Sequence, residues 1–369
     1  MSKRDRLQFP MSNSRAALLA LSFIVLAMGG AALAQKPQEQ VFKDKQGRLK
    51  LWNMDSHEIR VQDKGPIKFE GEGRPIKGVS QDQGITLECL NLKADLESLK
   101  SKGYVLRMAD LVGSVVLVQA KAGSTKTFKG GEAKIDDDGV KAQVSFTKPF
   151  TMADLAKEDG ADSVRNLSAN TGSVTLDTFR SQGGKLRSAE AAGSVEFSLK
   201  ETGRDLLLKT ARTGITQGEG FLSFSLPTAF ALNGSTQPKA GESNLVKASA
   251  DSGTAKVADK VKKGENSLIS LNLNGSVDLE VTSTFKTEKG ERVRIVKAKA
   301  ATLTFDRATG LMTLGGGVNY SIDSKEPGEE PVEAEGSSDV LTITFDSTGK
   351  VINASAKAGK TNLREGGKP

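Results

Sequence analysis

The 369 residues contain one cysteine (Cys89), one histidine (His57) and one tryptophan (Trp52), and aromatic side chains make up only 5%. A lone cysteine forms no intramolecular disulfide, so burial and backbone pairing must hold the fold even in an oxidising compartment. Cys89 lies in ITLECLNL, where Ile85, Leu87 and Cys89 share one face of a strand, and it reads as a small buried apolar residue rather than a reactive thiol. Ser-His-Asp and Cys-His catalytic sets need a histidine. His57, in WNMDSHEIR with no cysteine nearby, reads as a solvated or hydrogen-bonded structural residue. Zinc sites built from several His or Cys ligands are excluded by the same counts. Sparse aromatics leave no base-stacking surface. Of the formal net charge of +7, +3 belongs to the first 34 residues (Lys3, Arg4, Arg6 and Arg15 against Asp5). The mild remainder is interleaved with acidic residues, which gives no case for nucleic acid.

Long apolar runs are equally scarce, and the one present is N-terminal. Basic residues precede Ala16–Met28 (AALLALSFIVLAM), which leads to Gly29-Gly30 and then to Ala32-Leu33-Ala34 before Gln35. A basic start, an apolar run and an A-x-A exit have the layout of a secretory signal, with cleavage expected after Ala34 and the mature protein in the periplasm. The rival reading keeps Ala16–Ala34 as an inner-membrane anchor, since it is just long enough to span.

Beyond the signal, the hydrophobic period is two. Val195, Phe197 and Leu199 alternate with Glu196, Ser198 and Lys200; Val277, Leu279 and Val281 alternate with Asp278 and Glu280; Leu341, Ile343 and Phe345 alternate with Thr342 and Thr344. This is the pattern of strands with one wet and one apolar face. The segments also repeat. Leu106–Leu117 matches Leu186–Phe197 without a gap in the pattern L-R-x-A-[DE]-x-x-G-S-V-x-[LF], with Gly113 and Gly193 80 positions apart. Ser145-Phe146 with Pro149, and Ser223-Phe224 with Pro227, follow in the same order, and Gly275-Ser276-Val277 with Leu303 and Phe305 outlines a third unit. Asp306 with Gly310, and Asp346 with Gly349, mark turns, as does Asp136-Asp137-Asp138-Gly139, whose contiguous aspartates lack the spacing of a calcium loop. Gly315-Gly316-Gly317, with strand-like residues on both sides and no following helix, reads as a bulge rather than a phosphate cradle.

Thr151–Asp154 after Pro149 has the form of a capping box and predicts a short connecting helix to about Glu158. Gln237–Lys263, rich in Ala, Gly, Ser and Lys, predicts a linker; Ser324–Ser338 predicts a long loop; the tail from Lys357 has little to bury. The 45 acidic residues always allow some carboxylate pair to meet, but no spacing selects one, so no catalytic residue, cofactor or metal site is assigned.

The strands carrying A-x-x-x-G-x-V (Ala109–Val115, Ala189–Val195), with Ala298–Asp306 and Gly310–Val318, resemble the OstA-like family of lipopolysaccharide-transport periplasmic proteins. The resemblance is clearest over 85–150, 183–234 and 268–356. It implies an all-β fold of antiparallel strands stacked as a slot-like β-jellyroll with an apolar interior. The chain is longer than one family domain, which suggests tandem modules with repeats of about 80 residues. The expected layout is a signal at 1–34, β modules at 35–158 and 159–245, a linker at 246–263, a third β repeat at 264–356 and a flexible tail at 357–369. The implied role is to bind acyl chains of lipopolysaccharide or a related lipid and to carry lipid between membranes toward outer-membrane assembly. The implied partners are that lipid and other envelope transport proteins, joined end to end by strand pairing. Alternation nominates Val115, Leu117, Val195, Phe197, Leu199, Val277, Leu279, Val281, Leu303 and Phe305 as the groove, although every β-sandwich core needs such residues. A structural or adhesive β-repeat envelope protein without a lipid, and more weakly a carbohydrate-processing enzyme with facing carboxylates, are the alternatives.

Overall fold

The computed structural model describes residues 40–365 apart from 62–66, 100–102, 122, 159–160, 181–184, 238–239, 260–266, 289, 330 and 348–350. The expected signal segment and its expected cleavage site lie outside the described residues. From Gln40 onward the chain forms one compact unit.

Twenty-two strands follow one another with no helix among the described residues. The first group is β1 (Gln40–Lys43), β2 (Leu49–Trp52), β3 (Ser56–Arg60), β4 (Ile67–Ser80), β5 (Ile85–Leu99), β6 (Gly103–Lys121), β7 (Ser124–Asp137) and β8 (Lys141–Phe146). Next come β9 (Phe150–Glu158), β10 (Ala161–Ala169), β11 (Thr171–Asp177), β12 (Leu186–Glu201), β13 (Arg204–Gly218), β14 (Phe221–Leu226), β15 (Phe230–Thr236), β16 (Ser243–Ala250) and β17 (Ser252–Ala258). The last are β18 (Leu268–Thr287), β19 (Gly290–Asp306), β20 (Leu311–Lys325), β21 (Val332–Phe345) and β22 (Val351–Glu365). Every pairing is antiparallel, and together they make one continuous sheet.

A crease divides that sheet lengthwise. In the β6–β7 pairing the register skips between Val112 and Val115, in β12–β13 between Ala192 and Val195, and in β18–β19 between Asn274 and Val277. At each skip a glycine and the following serine both take positive φ: Gly113 and Ser114, Gly193 and Ser194, Gly275 and Ser276. Two successive left-handed residues turn the strand sharply, and a glycine takes the first without a Cβ penalty. Gly316 and Gly317 do the same in β20, so the triple glycine is a bulge as expected. Where no long strand crosses the line, two short ones meet at it, as β10 and β11 do on either side of Asn170.

The two half-sheets face each other across the crease. The first contains the β6 segment from Val115 and strands β9, β10, β15 and β16, while the second contains β8, β11, β14 and β17. Aromatic rings meet between them: Phe128 with Phe146 at 6.2 Å, Phe146 with Phe150 at 4.3 Å and Phe197 with Phe224 at 5.0 Å between centroids. A single apolar core runs between the halves from Leu49 to Val351. Each fully buried Leu, Val or Phe contributes about 1.5–3 kcal/mol, the main force holding the sheet folded.

Four expectations are corrected. Thr151–Glu158 is strand β9, not helix: Phe150 and Met152 point inward and the strand pairs with β7 and β10 throughout, so tertiary pairing overrides a local capping pattern. The linker expected at 237–263, or 246–263, holds β16 and β17, where Ala248, Ala250, Ala255 and Val257 are buried and Lys247 and Lys256 are exposed. Small apolar residues alternating with lysine imitate a linker in composition while keeping the period of a strand. The long loop expected at 324–338 shortens to 326–331, because β20 ends at Lys325 and β21 begins at Val332. The tail expected at 357–369 is paired with β21 as far as Glu365. Pairing also continues across the boundary expected between 158 and 159, where β9 and β10 form a hairpin.

Candidate functional site

The ten groove candidates share the inner face, and their exposure is 5% or less in every case, from Leu117, Leu279, Val281 and Leu303 at 0% to Phe305 at 5%. Around them the half-sheets are in contact. Cys89 is buried as expected, and burial, with a smaller contribution from the charge of Glu88, pushes its thiol up to about 12. His57 is exposed, its ring parallel to Phe69 at 6.3 Å.

Sequence reading missed a polar track inside the free lip of the first half-sheet. Gln119, Lys126 and Asp154 occupy inward positions and are cross-strand neighbours in turn, with Arg165 next to Asp154. One step nearer the lip, Glu201, Arg204, Thr236, Asn244, Ser283, Arg294 and Ser324 are successive cross-strand partners from β12 to β20. Most of the track is buried: Lys126 is 5% exposed, Asp154 7%, Arg204 6% and Ser283 0%. Lys126 and Asp154 form an ion pair at 3.4 Å, and Ser124 bonds both. The residues of the track share a face with Phe128, Met152, Leu206 and Val296, and that alternation is the one signal in the sequence that could have found them.

Side chains close the lips opposite the crease. Gln83 in the β4–β5 turn donates to the Leu106 carbonyl (2.8 Å) and to Asp137 Oδ2 (3.1 Å), and its Oε1 accepts from the Leu106 amide at 2.9 Å. Asp137, fully buried, also accepts from Thr178 Oγ1 at 2.6 Å and from the Gly139 amide at 3.1 Å. The aspartate run is therefore half turn and half seam. At mid-chain Arg204 pairs with Glu201 and donates to the Ala258 carbonyl of the opposite lip at 3.0 Å, while Arg165 meets Asp259 at 3.3 Å. Burial pulls the Arg204 guanidinium below its ordinary value, and Glu201 opposes that shift.

Near the C-terminal end the contact between the lips leaves a cavity beside it. This cavity, of about 370 Å³, lies between β19–β21 and the start of β22, lined by Arg292, Arg294, Ile322, Val332, Val351 and Ala354 among others. Arg292 is held by Glu326 and Glu329 and lies over the Phe285 ring at 5.8 Å. Arg294 donates to the Val351 carbonyl at 2.8 Å. Burial, and secondarily the charge of Arg292, holds the Arg294 guanidinium below its ordinary value. Among the described residues no cluster of His, Cys, Asp or Glu is arranged to hold a metal ion. The arrangement offers an apolar interior, a polar edge on one lip and, at one end, a cavity lined by two arginines and two glutamates. No family model, curated protein or solved structure matches the chain.

Proposed function

We propose that the chain is an exported envelope protein that shelters acyl chains of lipopolysaccharide or a related lipid between its half-sheets, in a slot-like β-jellyroll of the OstA-like kind, and so takes part in moving lipid between membranes. The observation that carries this reading is the one-sided interior: apolar along the crease and polar inside one lip, the division an amphiphile needs for tails and head. Sheltering an acyl chain yields about 0.8 kcal/mol per buried CH₂. Uptake requires the lips to part. On the crease side the halves are joined by the backbone, whereas the seam is joined by side-chain contacts at Gln83, Arg204 and Arg294, so parting breaks few bonds. The unpaired edges of β1, β3 and β22, each paired on one side only among the described residues, offer main-chain groups to neighbouring proteins by strand addition.

The test is mass spectrometry of lipid extracted from the chain after secretion into the envelope of a Gram-negative host. Acyl lipid in stoichiometric amount supports the reading, and lipid-free protein overturns it. The tight burial of the ten candidates favours a second reading, a structural β-repeat envelope protein; end-to-end assembly without lipid uptake is its signature.

A further inference from the structure

The guanidinium of Arg294 is in an unusual position for a cation. It sits on the inner face, in the register that places Val296, Ala298 and Ala300 in the core further along β19. Its acceptors among the described residues are two main-chain carbonyls, Val351 at 2.8 Å and Ile352 at 3.4 Å. No carboxylate lies within ion-pair distance of it among the described residues, and the charge that acts on it is that of Arg292, of like sign. Arg292, by contrast, is compensated by Glu326 and Glu329. Across the β18–β19 register from Arg294 stands Ser283, whose Oγ is buried without a partner among the described residues. Half-burying a charge without a counter-ion is costly, and a bound anion removes that cost.

The rest of the lining is mixed: Ile322, Val332, Val351 and Ala354 supply aliphatic wall, while Ser324, Asn353, Glu326 and Glu329 add polar groups, the two carboxylates being engaged by Arg292. The cavity volume of about 370 Å³ falls within the range of small-ligand pockets, about 300–1,000 Å³. From this juxtaposition we propose that the C-terminal mouth is a binding site for the anionic head and first methylenes of an amphiphile, with Arg294 contacting a phosphate or carboxylate and the aliphatic walls taking the chain. The inference rests on the lipid reading and deepens it, because it makes this mouth the place where an acidic lipid enters or leaves. Charge-assisted hydrogen bonds from a guanidinium suit such a head, and a planar fork holds two of its oxygens at once.

Titration calorimetry with dodecyl phosphate below its micelle concentration, with dodecanol and inorganic phosphate as controls, tests the site on the purified chain. Dodecyl phosphate is expected to bind; dodecanol, without the charge-assisted contact, and inorganic phosphate, without the buried methylenes, should each bind at least about tenfold more weakly. Arg294→Gln keeps a donor for the Val351 carbonyl but loses the charge, and should weaken dodecyl phosphate about tenfold while leaving dodecanol unchanged. Ala354→Leu fills the aliphatic wall without touching the charge and should weaken both; it decides the matter if Arg294→Gln does not fold. Dodecyl phosphate binding untouched by both substitutions overturns the site and leaves the lipid reading standing. Inorganic phosphate binding as tightly as dodecyl phosphate overturns the amphiphile and leaves a simple anion site. Absence of binding by either dodecyl compound overturns the inference together with the lipid reading.

Discussion

Replacing Asp137 by alanine should open the N-terminal stretch of the seam, and its cost follows from what the carboxylate holds. Asp137 is fully buried and accepts hydrogen bonds from Gln83, Thr178 and the Gly139 amide. Truncation takes a buried acceptor from Gln83 Nε2, which keeps the Leu106 carbonyl, and from Thr178 Oγ1, at up to about 1–3 kcal/mol each. Arg180 keeps Glu97 at 2.9 Å and the Asp137 main-chain carbonyl at 2.9 Å, so its charge is not stranded. The two together come to about 2–6 kcal/mol, with the retained Gln83 bond favouring the lower half, near the foot of the range of about 3–5 kcal/mol for breaking a buried charged pair. Asp137→Asn, which keeps one acceptor oxygen, should cost about half as much. Urea unfolding of wild type and variants gives the magnitude, and hydrogen exchange gives the place. Exchange should quicken at the Leu106 amide, which bonds Gln83 Oε1, and stay unchanged at Leu303 in the far part of the sheet. A loss under about 0.5 kcal/mol, the ordinary range of surface substitutions, would refute the seam as a structural element. Equal acceleration at Leu106 and Leu303 would refute its local action.

Three further outcomes follow from particular residues. At the β20 bulge, Gly316→Ala should destabilise more than Gly317→Ala in thermal melts: both have positive φ, costing about 1–2 kcal/mol, but a Cβ at Gly316 would come within 2.6 Å of Ala301 Cβ, while one at Gly317 meets nothing within 4 Å. Phe128→Ala, at a fully buried ring shared by both half-sheets, should cost about 3–5 kcal/mol by urea unfolding, whereas Leu155→Ser, at a side chain 49% exposed, should stay within about 0.5 kcal/mol. Cys89 should make stability fall with rising pH. Below the unfolded-state value near 9 the thiol is neutral in both states; above it only the unfolded chain ionises, so stability is lost from about pH 9 to about pH 12, where the folded thiol titrates. The pH dependence of unfolding in Cys89→Ala should lack that component, and an unchanged slope would refute the buried-thiol assignment.

The period-two alternation of Val195, Phe197 and Leu199 determined strands with one inward face, and that face is buried as the alternation requires. The Gly-Ser-Val segments stood out in the sequence only as repeat landmarks, while Asp306 with Gly310 marked a turn that forms, with Asp306 Oδ1 accepting the Ala308 amide at 2.7 Å. Local chemistry sufficed for the turn because a reversal is decided by two or three neighbouring residues. The identity of β9, β16, β17 and the last strand was decided by pairing: Ala-rich and Lys-rich stretches gain strand structure only when a neighbour supplies their hydrogen bonds and the opposite half-sheet covers their small side chains.

Tertiary structure alone decided the site. Gln119, Lys126, Asp154, Arg204, Ser283 and Arg294 are spread over 176 positions of sequence and become a track only because antiparallel register sets them side by side. What places them inside is the crease, which commits one whole face of every strand to the interior whatever residues it carries. The sequence by itself determined that this protein would be a stack of strands with one apolar face. Folding that stack along a line of left-handed Gly-Ser pairs decided which polar groups would be buried with it, and which end would keep a cavity beside two arginines.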